Sequence, residues 1–129
     1  MPEPIPAQLD TIGRNAVDAG LRVHAALGPG LLESAYEHCV AFELERKGIE
    51  IRRQAALPIS YEGIRLDAGY RIDLLLAGVV IVEIKSVDSL TPLHQAQLLT
   101  YLRLSKCRLG YLMNFNVPLF KDGIKRMAL

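Results

Sequence analysis

The feature that most constrains this chain is the segment Asp73-Leu-Leu-Leu-Ala-Gly-Val-Val-Ile-Val-Glu83-Ile-Lys85. In it, nine uncharged and almost wholly apolar residues separate one carboxylate from a second carboxylate and an amine. Only Ala77-Gly78 has turn chemistry, so the run reads as two buried strands joined by a tight reversal. Glu83 and Lys85 are two apart on a strand and project from one face. Charges at the ends of an apolar hairpin are costly to desolvate unless they face a cleft, a metal ion or each other. Register sets a condition on any shared site. A two-residue loop, Ala77-Gly78, places Asp73 opposite Val82 and turns it away from the face of Glu83. A three-residue loop, Ala77-Gly78-Val79, places Asp73 opposite Glu83. A shared site therefore demands an odd loop or a bulge.

The flanking sequence predicts helices on either side. Ile12, Ala16, Ala19, Val23 and Ala26-Leu27 recur at helical spacing and predict a helix over 9–27, with Asp10 or Thr11 as its cap. Gly28-Pro29-Gly30 stops it and begins a second helix running to about Lys47, with Leu31, Ala35, Cys39, Phe42 and Leu44 as its apolar positions. Glu33 sits in that helix's first turn, where the dipole favours a negative charge, and Tyr36 lies three residues on. After Gly48, residues 49–58 read as a strand and 59–66 as a hairpin turning at Glu62-Gly63. Residues 68–76 and 79–87 are the central strands. Thr91-Pro92 opens a third helix whose Leu98, Leu99 and Leu102 face the core, with His94, Gln97 and Tyr101 on a polar stripe. Strands follow at 107–115 and near 124–129. The order ααββββαβ(β) predicts an α/β fold whose central sheet is flanked by helices.

A chain of 129 residues favours a single domain over 1–129. Its net charge of +1 does not suit a general polyanion binder, so nucleic-acid binding must rest on local clusters or a metal. The start, Met1–Asp10, carries three prolines and no apolar core, unlike a secretory signal. The longest apolar run falls far short of the roughly 20 residues needed to span a bilayer, which leaves no membrane partner. Cys39 and Cys107 form no CxxC pair and read as buried free thiols, in keeping with a cytoplasmic protein.

Asp73 and Glu83 are two carboxylates of the kind that hold Mg²⁺, which takes one or two of them and keeps several waters. A lysine beside such an ion can orient an attacking water and offset developing charge. The alternative is a pair of exposed or salt-bridged strand-end charges, and Glu-x-Lys alone is common enough to carry little. His24 reads as structural. Arg52-Arg53, Arg103, Lys106 and Lys125-Arg126 are either backbone contacts for a nucleic acid or scattered surface charges.

Taken together, Asp73 and Glu83-Ile84-Lys85 resemble the PD-(D/E)XK nuclease signature, although Tyr70-Arg71-Ile72 rather than a proline precedes Asp73. Gly30-Leu-Leu-Glu33-Ser-Ala-Tyr36 is similar to the pattern that names the GxxExxY proteins, a small bacterial and archaeal branch of that superfamily, and Gln97-Leu-Leu-Thr-Tyr101 resembles the QxxxY element of RecB-like nucleases. The resemblance runs from Leu27 through Phe115. It implies a restriction-endonuclease-like α/β fold and a Mg²⁺- or Mn²⁺-dependent nuclease acting on DNA. It further implies metal ligands at Glu33, Asp73, Glu83 and the Ile84 carbonyl, with Asp73, Glu83 and Lys85 catalytic. Gln97 and Tyr101 would contact the substrate strand or orient Lys85, and His94 and Tyr36 are further candidate substrate contacts, Tyr36 being equally a core aromatic with its hydroxyl tied off. A nuclease-fold module that binds nucleic acid or a protein without turnover, and an RNA-directed nuclease, are the other readings. With so little net charge, a protein partner or self-association is left to supply specificity.

Overall fold

In the computed structural model, residues 3–129 are described; Met1 and Pro2, part of the proline-bearing start, lie outside them. The elements are α1 (Ala7–Leu27), α2 (Glu33–Arg46), β1 (Ile51–Ala56), β2 (Ile59–Tyr61), β3 (Ile64–Leu66), β4 (Arg71–Leu76), β5 (Val80–Lys85), α3 (Pro92–Ser105), β6 (Leu109–Asn114) and β7 (Ile124–Ala128). A mixed five-stranded sheet runs β1-β4-β5-β6-β7, and β2–β3 forms a separate two-stranded arm. Only β5 and β6 are parallel, because α3 is the crossover between them. Five strands therefore precede α3, one more than the expected order, since the 59–66 hairpin supplies two that stand off the sheet. Its Glu62-Gly63 turn forms as expected, with both residues at positive φ.

The sheet has a core on each face. On one, Ala16, Ala19 and Val23 of α1 and Tyr36, Val40, Ala41 and Leu44 of α2 pack on Leu74, Leu76, Val80, Val82 and Ile84. On the other, Leu98, Tyr101 and Leu102 of α3 pack on Ile72, Ile81 and Leu112. The result is the helix-flanked α/β sheet that the resemblance implies. Among the described residues no helix is long and apolar enough to cross a membrane.

Two helix starts differ from expectation. Pro6, not Asp10 or Thr11, precedes α1, and no side chain caps it; Thr11 lies inside the helix and its hydroxyl donates to the Ala7 carbonyl. Helix α2 begins at Glu33 rather than at Pro29. Its buried stripe is Tyr36, Glu37, Val40, Ala41 and Leu44, which leaves Leu31 and Phe42 exposed. Cys107 is buried and Cys39 half-buried, both as free thiols. His24 is structural: its Nε2 meets the Val117 carbonyl at 2.7 Å.

Helix α1 approaches the sheet closely at Gly20, where a Cβ would strike the ring of Phe120 and come within 3.2 Å of Met113 Sδ. Gly20→Ala should therefore cost about 1–3 kcal/mol by overpacking, although alanine is the better helix former. Urea unfolding checks this; an unchanged midpoint would mean that α1 shifts freely.

Candidate active site

The loop between β4 and β5 meets the condition set by the sequence. Leu76 pairs with Val80 and Leu74 with Val82, so Ala77, Gly78 and Val79 form a three-residue loop. Ala77 and Gly78 both lie at positive φ, and the Val79 N–H closes on the Leu76 carbonyl at 2.9 Å. This register brings Asp73 level with Glu83.

At that level the ladder stops and side chains take over. The Asp73 N–H donates to Glu83 Oε2 at 2.8 Å, and the Ile84 N–H donates to Asp73 Oδ2 at 2.9 Å. Each carboxylate thus accepts from the backbone of the opposite strand, filling bonds that ordinary pairing would make. The disturbance extends across β4 to β1. Arg53–Leu74 and Ala55–Ile72 are paired, but the Gln54–Asp73 step between them is not. Gln54 has φ 49°, a left-handed conformation that costs a non-glycine residue about 1–2 kcal/mol. It also inverts the alternation of the strand. Ile51 joins the core under α1 and α2, whereas Ala55 and Leu57 join the core under α3. Ile72 and Leu74 are divided between the two cores in the same way across Asp73.

Gln54 Nε2 uses this position to donate to Glu37 Oε1 at 2.6 Å and to Asp73 Oδ1 at 3.2 Å. Glu37, buried on α2, also receives Arg53 through Nε at 3.1 Å and Nη2 at 2.8 Å. A chain of hydrogen bonds thus links three carboxylates, one amide and one guanidinium across α2, β1, β4 and β5.

The electrostatics follow from this crowding. Burial, reinforced by the neighbouring Asp73 charge, pushes the Glu83 carboxyl up to about 8. Asp73 is also raised, chiefly by burial, while the Ile84 N–H, the Gln54 amide and Lys85 favour its charged form and Glu37 opposes it. A buried carboxyl and a half-buried one on facing positions favour a retained proton or a cation beside them. Their chemistry fits a hard divalent ion: oxygen donors held by backbone N–H groups, with unused lone pairs. Among the described residues, no three His, Cys, Asp or Glu side chains are grouped to hold an ion. Two carboxylates plus open positions suit Mg²⁺, which retains waters, better than a closed protein cage.

The other expected site residues divide. Lys85 follows Glu83 and Ile84 at the end of β5 and acts on both carboxyls as a favourable charge. Glu33 lies at the exposed start of α2, its carboxylate accepting from the Ser86 N–H at 3.1 Å. It ties α2 to the strand end after Lys85, whereas Glu37, one turn on, is the helix carboxylate whose charge reaches Asp73 and Glu83. Tyr36 as a substrate contact is corrected. It has no exposed surface, stacks on Phe115 at 4.4 Å, donates its hydroxyl to the Gly28 carbonyl and accepts from the Leu31 N–H. It holds the Gly28–Leu31 loop in place. His94 completes a capping box, accepting the Thr91 N–H at Nδ1 while its own N–H donates to Thr91 Oγ1.

Gln97 donates to the Tyr101 hydroxyl at 3.4 Å. Tyr101 packs into the α3 core with Ile72 and Ile81, and the pKa of its hydroxyl is raised by burial and then by the charges of Glu83, Tyr70 and Asp73. Arg53 is engaged with Glu37, and Arg126 is held by Asp10 at 2.8 Å, so neither is the free backbone contact that the sequence offered. Glu37 and Gln54 were not among the sequence candidates. Glu37 follows Glu33 by one helical turn, a signal legible only once the helix phase is known; Gln54 carries no local signal.

The family model of the PD-(D/E)XK nuclease superfamily matches residues 10–127, nearly the whole chain and all of the elements that build this site. No curated protein and no solved structure matches.

Proposed function

The chain belongs to the PD-(D/E)XK nuclease superfamily, whose members generally use divalent metal ions, and from that premise we propose that it is a Mg²⁺- or Mn²⁺-dependent nuclease hydrolysing DNA phosphodiester bonds. The observation that carries this reading is the reciprocal clasp of Asp73 and Glu83 beside Lys85. A protein that only binds nucleic acid gains nothing from setting the half-buried Asp73 beside the buried Glu83, since like charges there destabilise the fold unless a cation joins them. Asp73 and Glu83 would hold the ion, with the Ile84 carbonyl beside them. When bound, it supplies Lewis-acid polarisation of the phosphate and a lowered pKa for water.

The chain's own residues do the positioning. The Ile84 and Asp73 N–H groups and the Gln54 amide fix the carboxylate oxygens in advance. Lys85 holds a positive charge where the phosphoryl group becomes more negative in the transition state. Gln97 and Tyr101 line the approach to the carboxylates. In this reading the chain acts as one nuclease domain in the cytoplasm, and the GxxExxY pattern of Gly30–Tyr36 supports its assignment to that branch.

Glu37, rather than Glu33, supports the metal site in this reading. Glu37→Gln should lower Mg²⁺-dependent cleavage by about 10- to 100-fold, as loss of a group orienting metal ligands typically does. Glu33→Gln should stay within a few-fold of wild type. Initial rates on labelled single-stranded DNA, duplex DNA and RNA, with Mg²⁺ or Mn²⁺, test both claims and rank the substrates. The reverse order of the two variants would restore Glu33 as a ligand. Absence of divalent binding and of cleavage on every substrate would leave a binding module.

A further inference from the structure

Between α3 and the β2–β3 arm lies a groove of about 290 Å³, lined by Ile59, Tyr70, Leu93, Gln97, Thr100 and Tyr101 among others, none of them charged. It lies on the sheet face from which Glu83 projects: its wall residue Tyr101 packs with Ile81, two residues before Glu83 on β5, and with Ile72 beside Asp73, and Tyr70 stands three residues before Asp73. Its apolar surface is unusually open. Leu93 is 76% exposed and Tyr70 45%, and the arm adds Tyr61, Ile64 and Leu66. An isolated two-stranded arm is marginal in water, so its exposed apolar face is a cost without an occupant.

The rim is cationic. Arg71 Nη1 donates to the Tyr70 carbonyl at 3.0 Å, and Arg103 Nη2 donates to Thr100 Oγ1 at 3.0 Å. One guanidinium is thereby held beside each wall. Among the described residues neither pairs with a carboxylate, unlike Arg22, Arg46, Arg53, Arg65 and Arg126. An apolar floor with an exposed tyrosine, flanked by unpaired arginines, has the complementarity of an unpaired strand: bases inward, phosphates at the rim. A continuous duplex has its base faces stacked and cannot offer them to such a floor.

We infer that this groove is a subsite for unpaired nucleobases next to the scissile phosphate, so that the substrate is single-stranded or frayed nucleic acid rather than continuous duplex. The inference rests on the nuclease reading for the position of the phosphate, but the groove can be tested without turnover.

Fluorescence anisotropy in the presence of a chelator, with labelled DNA and RNA strands of about 12 nucleotides and their blunt duplexes, measures binding alone. Single strands should bind at least about ten-fold more tightly than the duplex. Tyr70→Ala and Leu93→Ser, both at exposed positions, should each weaken single-strand binding by about 5- to 100-fold, the range for losing one stacked base. Tyr70→Phe should retain it, and thermal melting of each variant checks the fold. Arg103→Ala should flatten the salt dependence of binding by about 0.7 in log–log slope, one phosphate contact on a single strand. Equal binding of duplex and single strand, with no effect of Tyr70→Ala, would overturn the inference. So would groove variants that change sedimentation but not nucleic-acid affinity, since the face would then join two copies of the chain. The two readings fail separately. Tyr70-dependent binding without divalent-dependent cleavage sinks the nuclease reading and keeps the groove. Cleavage of duplex at the single-strand rate, indifferent to Tyr70, does the opposite.

Discussion

Lys85→Ala should lower nucleic-acid cleavage by about 10²- to 10⁴-fold while leaving Mn²⁺ affinity nearly unchanged. An ammonium has no lone pair to offer a hard cation, so its removal takes away charge and proton donation at the phosphate without removing a ligand. Asp73→Asn should behave in the opposite way. The amide keeps one oxygen to accept the Ile84 N–H but loses the charge, so affinity for the ion falls first and the rate falls with it. High Mn²⁺ should then recover part of the Asp73→Asn activity and none of the Lys85→Ala activity. Calorimetric Mn²⁺ titration beside a cleavage assay separates the two. Should Lys85→Ala recover with Mn²⁺, the lysine acts by shaping the ion site rather than by meeting the phosphate.

The hairpin that carries these residues was legible because its spacing admits few solutions. Nine residues between Asp73 and Glu83, with Ala77-Gly78 at the centre, leave a two- or a three-residue loop, and only the longer one aligns the carboxylates. Thr91-Pro92 was equally readable, since a side-chain acceptor followed by a proline fits one place in a helix. The second helix was not, and the reason is phase. Its apolar residues counted from Gly28-Pro29-Gly30 select Leu31, Ala35, Cys39 and Phe42 as one inward stripe, and Tyr36, Val40 and Leu44 form an equally regular one beside it. The start at Glu33 is held by the Tyr36 hydroxyl closing on Gly28 and, from far along the chain, by the Ser86 N–H on Glu33. The stripe that packs is the neighbouring one, Tyr36, Val40 and Leu44 with Glu37 and Ala41, so that Phe42 is 58% exposed while Glu37 faces the site.

Gln54 lay outside sequence reasoning for a different cause. A left-handed glutamine in mid-strand opposes local preference, and it persists only because Glu37 and Asp73 together hold its amide. The strain and the site coincide: the residue that breaks the alternation of β1 is the one that links the helix carboxylate to the strand carboxylate. Local rules fail where the site is built, which is where such failures are expected.

The same crowding makes stability depend on pH in a way that tests the proposed cation site. Glu83 has its folded pKa raised from 4.5 to about 8. Below about pH 4.5 the carboxyl is protonated in both folded and unfolded chains, and its full contribution is present. Between 4.5 and about 8 the unfolded chain releases the proton that the folded chain retains, so stability falls by up to about 1.4 kcal/mol per pH unit as pH rises. Glu83→Gln removes that proton exchange, and its amide oxygen can still accept the Asp73 N–H. Without divalent ions the variant and wild type should melt close together near pH 5, and the variant should melt higher by about 5 °C or more near pH 8. Mn²⁺ should reverse the order. An ion held by Asp73 and Glu83 would replace the proton, so its stabilisation of wild type should grow with pH as the carboxyls ionise. The variant, with one charged ligand gone, should gain little. Melting curves at two pH values with and without Mn²⁺ contain the whole test. A variant less stable than wild type under all four conditions would make Glu83 a structural acceptor for the Asp73 N–H and remove the cation from this site.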